Sequence, residues 1–100
     1  MDISYRLDKD ILYIAVDGRI NASNAAEAEE KIFAIRGANP GKHTVIDADK
    51  LEYLSSAGLR VILTAQNIMD EQGEMKVIHV NETVMEIFDI TGLVDLLTIE

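Results

Sequence analysis

Leu54-Ser55-Ser56-Ala57-Gly58-Leu59-Arg60 is the stretch on which the reading of this chain turns. Two serines and two small residues stand between an apolar connection and a run with helical spacing. Downstream, Leu59, Ile62, Leu63, Ala65, Gln66 and Met69 fall on one helical face, which predicts a helix over residues 57–72 stopped by Gly73. A serine at such a start is an ordinary helix N-cap. It also sits at the positive end of the helix dipole, where backbone N–H groups favour an added negative charge. Local chemistry leaves both roles open, cap and phosphoacceptor.

Upstream, Ile3, Tyr5 and Leu7 alternate with polar residues, Asp8-Lys9-Asp10 reads as a turn, and Leu12, Ile14 and Val16 resume the alternation. This is a hairpin pattern, broken by Asp17-Gly18-Arg19. Asn21 to Ser23 then offer N-caps for an Ala- and Glu-rich helix running to Arg36, with Gly37 placed as its C-terminal cap and a turn over 37–41. Residues 43–48 read as a strand, and residues 50–56 as a connection with two buried-looking leucines, Leu51 and Leu54. Beyond Gly73, residues 75–80 read as a strand. Asn81 caps a third helix over 82–91, with Val84, Ile87 and Phe88 inward and Gly92 at its end; a brief edge strand follows at Thr98-Ile99. Strands alternating with helices predict an α/β fold: one domain over 1–100, with a mixed central sheet of four to five strands and about three helices.

Bulk properties narrow the function. The chain has 100 residues, 48% of them hydrophobic, enough for a core of its own. A net charge of −9 opposes binding to nucleic acid or anionic lipid and suits a partner with a basic surface. There is no cysteine, so no disulfide framework and no thiol nucleophile. No apolar stretch approaches the roughly 20 residues of a membrane span, and the first residues carry no secretory pattern, so a cytoplasmic protein without a membrane role is expected. His43 and His79 are the only histidines, and neither has a second ligand residue at metal spacing. Ser56 has Gly58 after it but Leu54 before it, so the nucleophile elbow of a serine hydrolase fails. No glycine-rich nucleotide loop is present. Neither an enzyme nor a cofactor is expected.

The stretch 53–63, Tyr-Leu-Ser-Ser-Ala-Gly-Leu-Arg-Val-Ile-Leu, resembles the phosphorylation loop of the STAS domain, the family of the bacterial anti-sigma factor antagonists. Residues 17–25, 45–51, 73–77 and 87–93 resemble other segments of that family in the right order, Ile87-Phe88-Asp89-Ile90-Thr91-Gly92-Leu93 most specifically. The resemblance implies a protein that, unphosphorylated, binds an anti-sigma factor of the GHKL serine-kinase type. Phosphorylation by that kinase releases it, and a PP2C-type phosphatase resets it. The shared Gly-Leu places the phosphoacceptor on Ser56. Ser55 stands where many antagonists have Asp, Ala57 where Ser or Thr is common, and Asn21 where Asp is common. The implied partner-binding surface comprises Asn21, Ser23, Asp49, Leu54, Ser55, Ala57 and Gly58. In it Leu54, Ala57 and Gly58 supply contact area and Asp49 meets basic groups. The alternative is a STAS module that is never phosphorylated, acting as an interaction scaffold or binding a small ligand.

Overall fold

The computed structural model describes residues 1–40, 42–71 and 73–100. Two expectations lie outside the described residues: the helix end at Gln72, and Gly41 in the turn over 37–41. The chain runs β1 (Asp2–Asp8), β2 (Ile11–Ile20), α1 (Ala25–Ala38), β3 (His43–Asp47), β4 (Leu51–Leu54), α2 (Ser56–Asp70), β5 (Met75–Ile78) and α3 (Glu82–Thr91). A 3-10 turn at Leu93–Asp95 follows. The expected α/β architecture is present: among the described residues, a mixed five-stranded sheet with three α-helices.

β1 and β2 form the expected hairpin, antiparallel from Asp2↔Asp17 to Asp8↔Ile11. Lys9, in the two-residue turn between them, takes φ 57°. The other pairings are parallel, β2 with β3 and β3 with β5, giving the order β1-β2-β3-β5. Leu12, Ile14 and Val16 of β2, Ile46 of β3 and Val77 of β5 face one side of the sheet, and Ala28, Ile32, Ile62, Ala65 and Met69 of α1 and α2 join them in the core.

The strand expected to break at Asp17-Gly18-Arg19 instead continues to Ile20. Gly18 adopts φ 103°, a conformation that side chains resist, and the register shifts between Gly18 and Arg19. The Gly18 N–H donates to the Lys50 carbonyl at 2.9 Å. Beyond this bulge β2 has left β3 and gains β4 as a new partner, from Gly18↔Leu51 to Ile20↔Leu54. The fifth strand is therefore β4, inside the segment read as a connection. The expected edge strand at Thr98-Ile99 is reduced to one bridge, Val77↔Ile99.

Helix ends differ in two places. α1 starts after Asn24, not at Asn21 to Ser23, and Asn24 makes no side-chain cap bond. At the other end α1 passes through Gly37 to Ala38 because Asn39 closes it: its N–H donates to the Arg36 carbonyl and its Nδ2 to the Ile35 carbonyl at 2.8 Å. Arg36, buried in the last turn, donates from Nη1 to the Asn39 carbonyl at 2.8 Å. α3 matches its expected bounds, with Asn81 Oδ1 accepting the Val84 N–H at 2.8 Å and Gly92 left-handed at φ 79°. No helix among the described residues is long and apolar enough to cross a membrane.

Candidate functional site

β4 delivers the chain to Ser55 at the sheet end where β2 also finishes. Ser55 has extended backbone and caps α2. Its N–H donates to the Ile20 carbonyl at 3.0 Å, its carbonyl accepts the Leu59 N–H at 2.8 Å, and its Oγ accepts the Gly58 N–H at a long 3.4 Å. All its polar groups are thus engaged, and the residue is half-buried.

Ser56 is different. It is the first residue of α2, it is exposed, and its hydroxyl makes no hydrogen bond among the described residues. The first turn of α2 contains no acidic side chain. Its unpaired N–H groups and the positive end of the dipole therefore meet no carboxylate of their own turn. The two serines therefore differ: Ser55 is the cap, and the Ser56 hydroxyl is unengaged among the described residues.

Gly58 is buried because α2 starts directly on the end of β2. A Cβ there would lie 2.8 Å from the Ile20 carbonyl oxygen and 3.0 Å from Leu54 Cδ2. Leu54 is 1% exposed. This corrects the expectation that Leu54 and Gly58 offer contact area: both face inward and hold the loop in place. Ala57 is half-buried and packs against the core. The apolar side chains near Ser56 that keep some exposure are Leu63 and Leu93, both half-buried, whereas Leu59 is only 8% exposed and belongs to the core. Ser56, Leu59, Arg60 and Leu63 form one stripe of α2 and, with Thr91 and Leu93, line a shallow groove of about 300 Å³. Tyr53 is also exposed on β4. Arg60 and Leu63 could have been found from their i+4 and i+7 spacing to Ser56. Thr91 and Leu93 arrive only through tertiary packing.

Asn21 and Ser23 sit in the loop after β2, directly beyond Ile20, whose carbonyl holds Ser55. The Asn21 Oδ1 accepts the Ser23 N–H at 2.9 Å and its hydroxyl at 2.6 Å. Asn24 closes the loop, accepting the Asn21 N–H at 2.9 Å and donating to the Arg19 carbonyl at 2.9 Å. The Asn21 side chain thus shapes its own turn beside Ser55. Asp49 is exposed in the turn between β3 and β4, but it is not part of the Ser56 groove. It lines a separate hollow of about 190 Å³ with Asp2, Asp17, Asp47 and Lys50.

The Asp47 carboxyl, at the end of β3, has a shifted pKa. Burial pushes it up. The His79 hydrogen bond at 2.9 Å, the Asp49 N–H at 3.0 Å and the charges of His79 and Arg6 outweigh that and bring it below its ordinary value. A carboxylate only accepts, so His79 Nδ1 carries the proton in this contact. His43 Nδ1 accepts the Glu74 N–H at 3.2 Å. Among the described residues no group of three or more His, Cys, Asp or Glu could hold a metal ion.

The family model described as STAS domain matches residues 2–100. BtrV of Bordetella bronchiseptica, named as a candidate anti-sigma factor antagonist, is 32% identical over 87 residues, covering 86% of this chain and 74% of that protein. The anti-sigma-B factor antagonist of Listeria monocytogenes is 29% identical over 104 residues, covering 100% of this chain and 90% of its own. Among solved structures, an anti-sigma factor antagonist from Mycobacterium paratuberculosis superposes with a TM-score of 0.86 at 20% identity, covering 98% of this chain and 83% of that one. That likeness shows the fold.

Proposed function

The chain belongs to the STAS domain family, and from that premise we propose that it is an anti-sigma factor antagonist working in the cytoplasm as a phosphoserine switch. With Ser56 unmodified it binds an anti-sigma factor of the GHKL serine-kinase type. Phosphorylation of Ser56 by that kinase ends the complex, and a PP2C-type phosphatase restores the binding form. The observation that carries this reading is the division of labour between the serines: Ser55 caps α2, while the Ser56 hydroxyl is exposed and unengaged at the same helix start. The names of the relatives support the partner class.

A phosphate adds about −1.5 to −2 charges at neutral pH. At the first position of a helix that charge leaves the fold intact. Against a partner packed on the half-buried Leu63 and Leu93 it brings a hydrated dianion into an apolar contact. Losing about 3 kcal/mol there weakens binding more than a hundredfold.

The test is incubation with the candidate kinase and ATP, followed by mapping of the modified residue by mass spectrometry. Incorporation is expected on Ser56 and should vanish in Ser56→Ala; incorporation that persists unchanged in that variant overturns the assignment. Ser56→Asp is expected to keep the fold and lose affinity for the partner. Equal affinity of the two forms rules out a mechanism based on charge.

A further inference from the structure

Among the described residues, the groove beside Ser56 is lined by one charged side chain, Arg60, together with Leu59, Leu63, Thr91, Leu93 and Ser56 itself. Arg60 is exposed and makes no ion pair or side-chain hydrogen bond among the described residues. It lies four residues after Ser56 on α2, so the two side chains are neighbours on the helix surface. An acidic group placed four residues before a basic one is the favourable order for a helical pair. Among the described residues, Arg60 is the basic side chain that lines the same groove as the unengaged Ser56 hydroxyl.

We infer that Arg60 is the receptor for the phosphate on Ser56: its guanidinium takes the phosphoryl oxygens across the mouth of the groove and holds them over Leu63. The inference rests on Ser56 being the modified residue, and it assigns Arg60 as a positioning residue of the switch. Guanidinium geometry matches two phosphoryl oxygens at once, which a lysine ammonium does not. The phosphorylated state then differs from the free one in shape as well as charge. The groove is open when Ser56 is free and bridged when it is phosphorylated. Release of the partner follows from covering the apolar floor that it would contact.

The experiment uses the full chain with phosphoserine installed at position 56 during synthesis, so its outcome does not depend on any kinase selecting that residue. A kinase that ignores Ser56 would defeat the proposed function and leave this measurement unaffected. The phosphate is titrated by 31P NMR in three backgrounds: Arg60 retained, Arg60→Gln and Arg60→Lys. With Arg60 the midpoint is expected about half a unit below that of Arg60→Gln, because a nearby cation favours the dianion while the helix start acts equally in every background. Arg60→Lys should lie between, keeping the charge but not the fork. Leucine methyl resonances give a second reading. Phosphorylation should shift those of Leu59, Leu63 and Leu93 with Arg60 present and leave them nearly unmoved in Arg60→Gln. Arg60 is exposed, so both variants are expected to fold, with helix content checked by circular dichroism. Identical titration midpoints in the three backgrounds overturn the inference.

Discussion

Gly58 and the two serines show how much one atom decides here. A methyl group on Gly58 would meet the Ile20 carbonyl oxygen at 2.8 Å and Ile20 Cβ at 3.1 Å, and the backbone oxygen cannot swing aside. In an open helix, Gly→Ala gains up to about 1 kcal/mol of propensity. Overpacking costs about 1–3 kcal/mol, and the contact here also strains the Ser55 N–H bond to Ile20, so the clash wins. Gly58→Ala is expected to lower stability by about 1–2 kcal/mol, read as a lower urea midpoint at an unchanged slope. An unchanged or higher midpoint would mean that α2 can lift off β2 at no cost. The serines should separate in the same assay. Ser55→Ala removes the N-cap of α2 and should cost about 1 kcal/mol. Ser56→Ala removes a hydroxyl with no partner and should stay within about 0.5 kcal/mol of the parent. A larger loss at Ser56 than at Ser55 would make Ser56 the structural residue.

At the scale of elements, α2 and α3 were legible because their apolar residues repeat at helical spacing and their starts carry Ser55 and Asn81. β4 was not. Leu51 and Leu54 are buried while Glu52 and Tyr53 are exposed, so the segment lacks the alternation that marks a strand. It is a strand because the bulge at Gly18 leaves the end of β2 without β3, and that opening is a tertiary fact. The candidate site was legible to the same depth. The loop and its serines lie in one segment, whereas the inward turn of Leu54 and the separation of Asp49 depend on where β4 docks. Gln66 is the element-level contact with the most to lose. Buried on α2, it donates from Nε2 to the Met75 carbonyl at 3.0 Å and accepts the Thr98 N–H at 3.1 Å, joining α2, β5 and the last residues. Gln66→Leu should cost about 1–3 kcal/mol and raise hydrogen exchange at Thr98, because buried polar groups lose their partners. Unaltered exchange at Thr98 would show that the C-terminal segment is held without Gln66. The contact between β3 and the residue after β5 gives a pH dependence. Burial raises the Asp47 carboxyl, but the bonds from His79 and the Asp49 N–H and the nearby positive charges leave it below its unfolded value. A carboxyl lowered by folding stabilises fully above its unfolded pKa of about 4 and loses that contribution as pH falls through the folded value. The parent should therefore lose stability on acidification below about pH 4 more steeply than Asp47→Asn. The difference should be below about 1 kcal/mol, since the pair is partly exposed. Parallel acid limbs for the two proteins would remove Asp47 from the account.

The molecule as a whole carries −9, and that charge and the switch proposed at Ser56 would act on different parts of binding. A field of one sign steers a basic partner during approach, and salt screens it over about 10 Å at 0.1 M. If the proposed anti-sigma factor partner presents a basic surface, association should slow by about tenfold between low and high salt, while dissociation changes little. Phosphorylation adds only about a fifth to the total charge, at one point. Its effect on the distant field is small and has the favourable sign for a basic partner, so it cannot release the complex by slowing approach. It must act at the contact itself, over the groove lined by Leu63 and Leu93. The Ser56→Asp variant is therefore expected to show nearly the parent association rate and a much faster dissociation rate, measured by surface plasmon resonance at two salt concentrations. A variant that loses affinity through association alone would place the switch in long-range electrostatics and remove the groove from the mechanism.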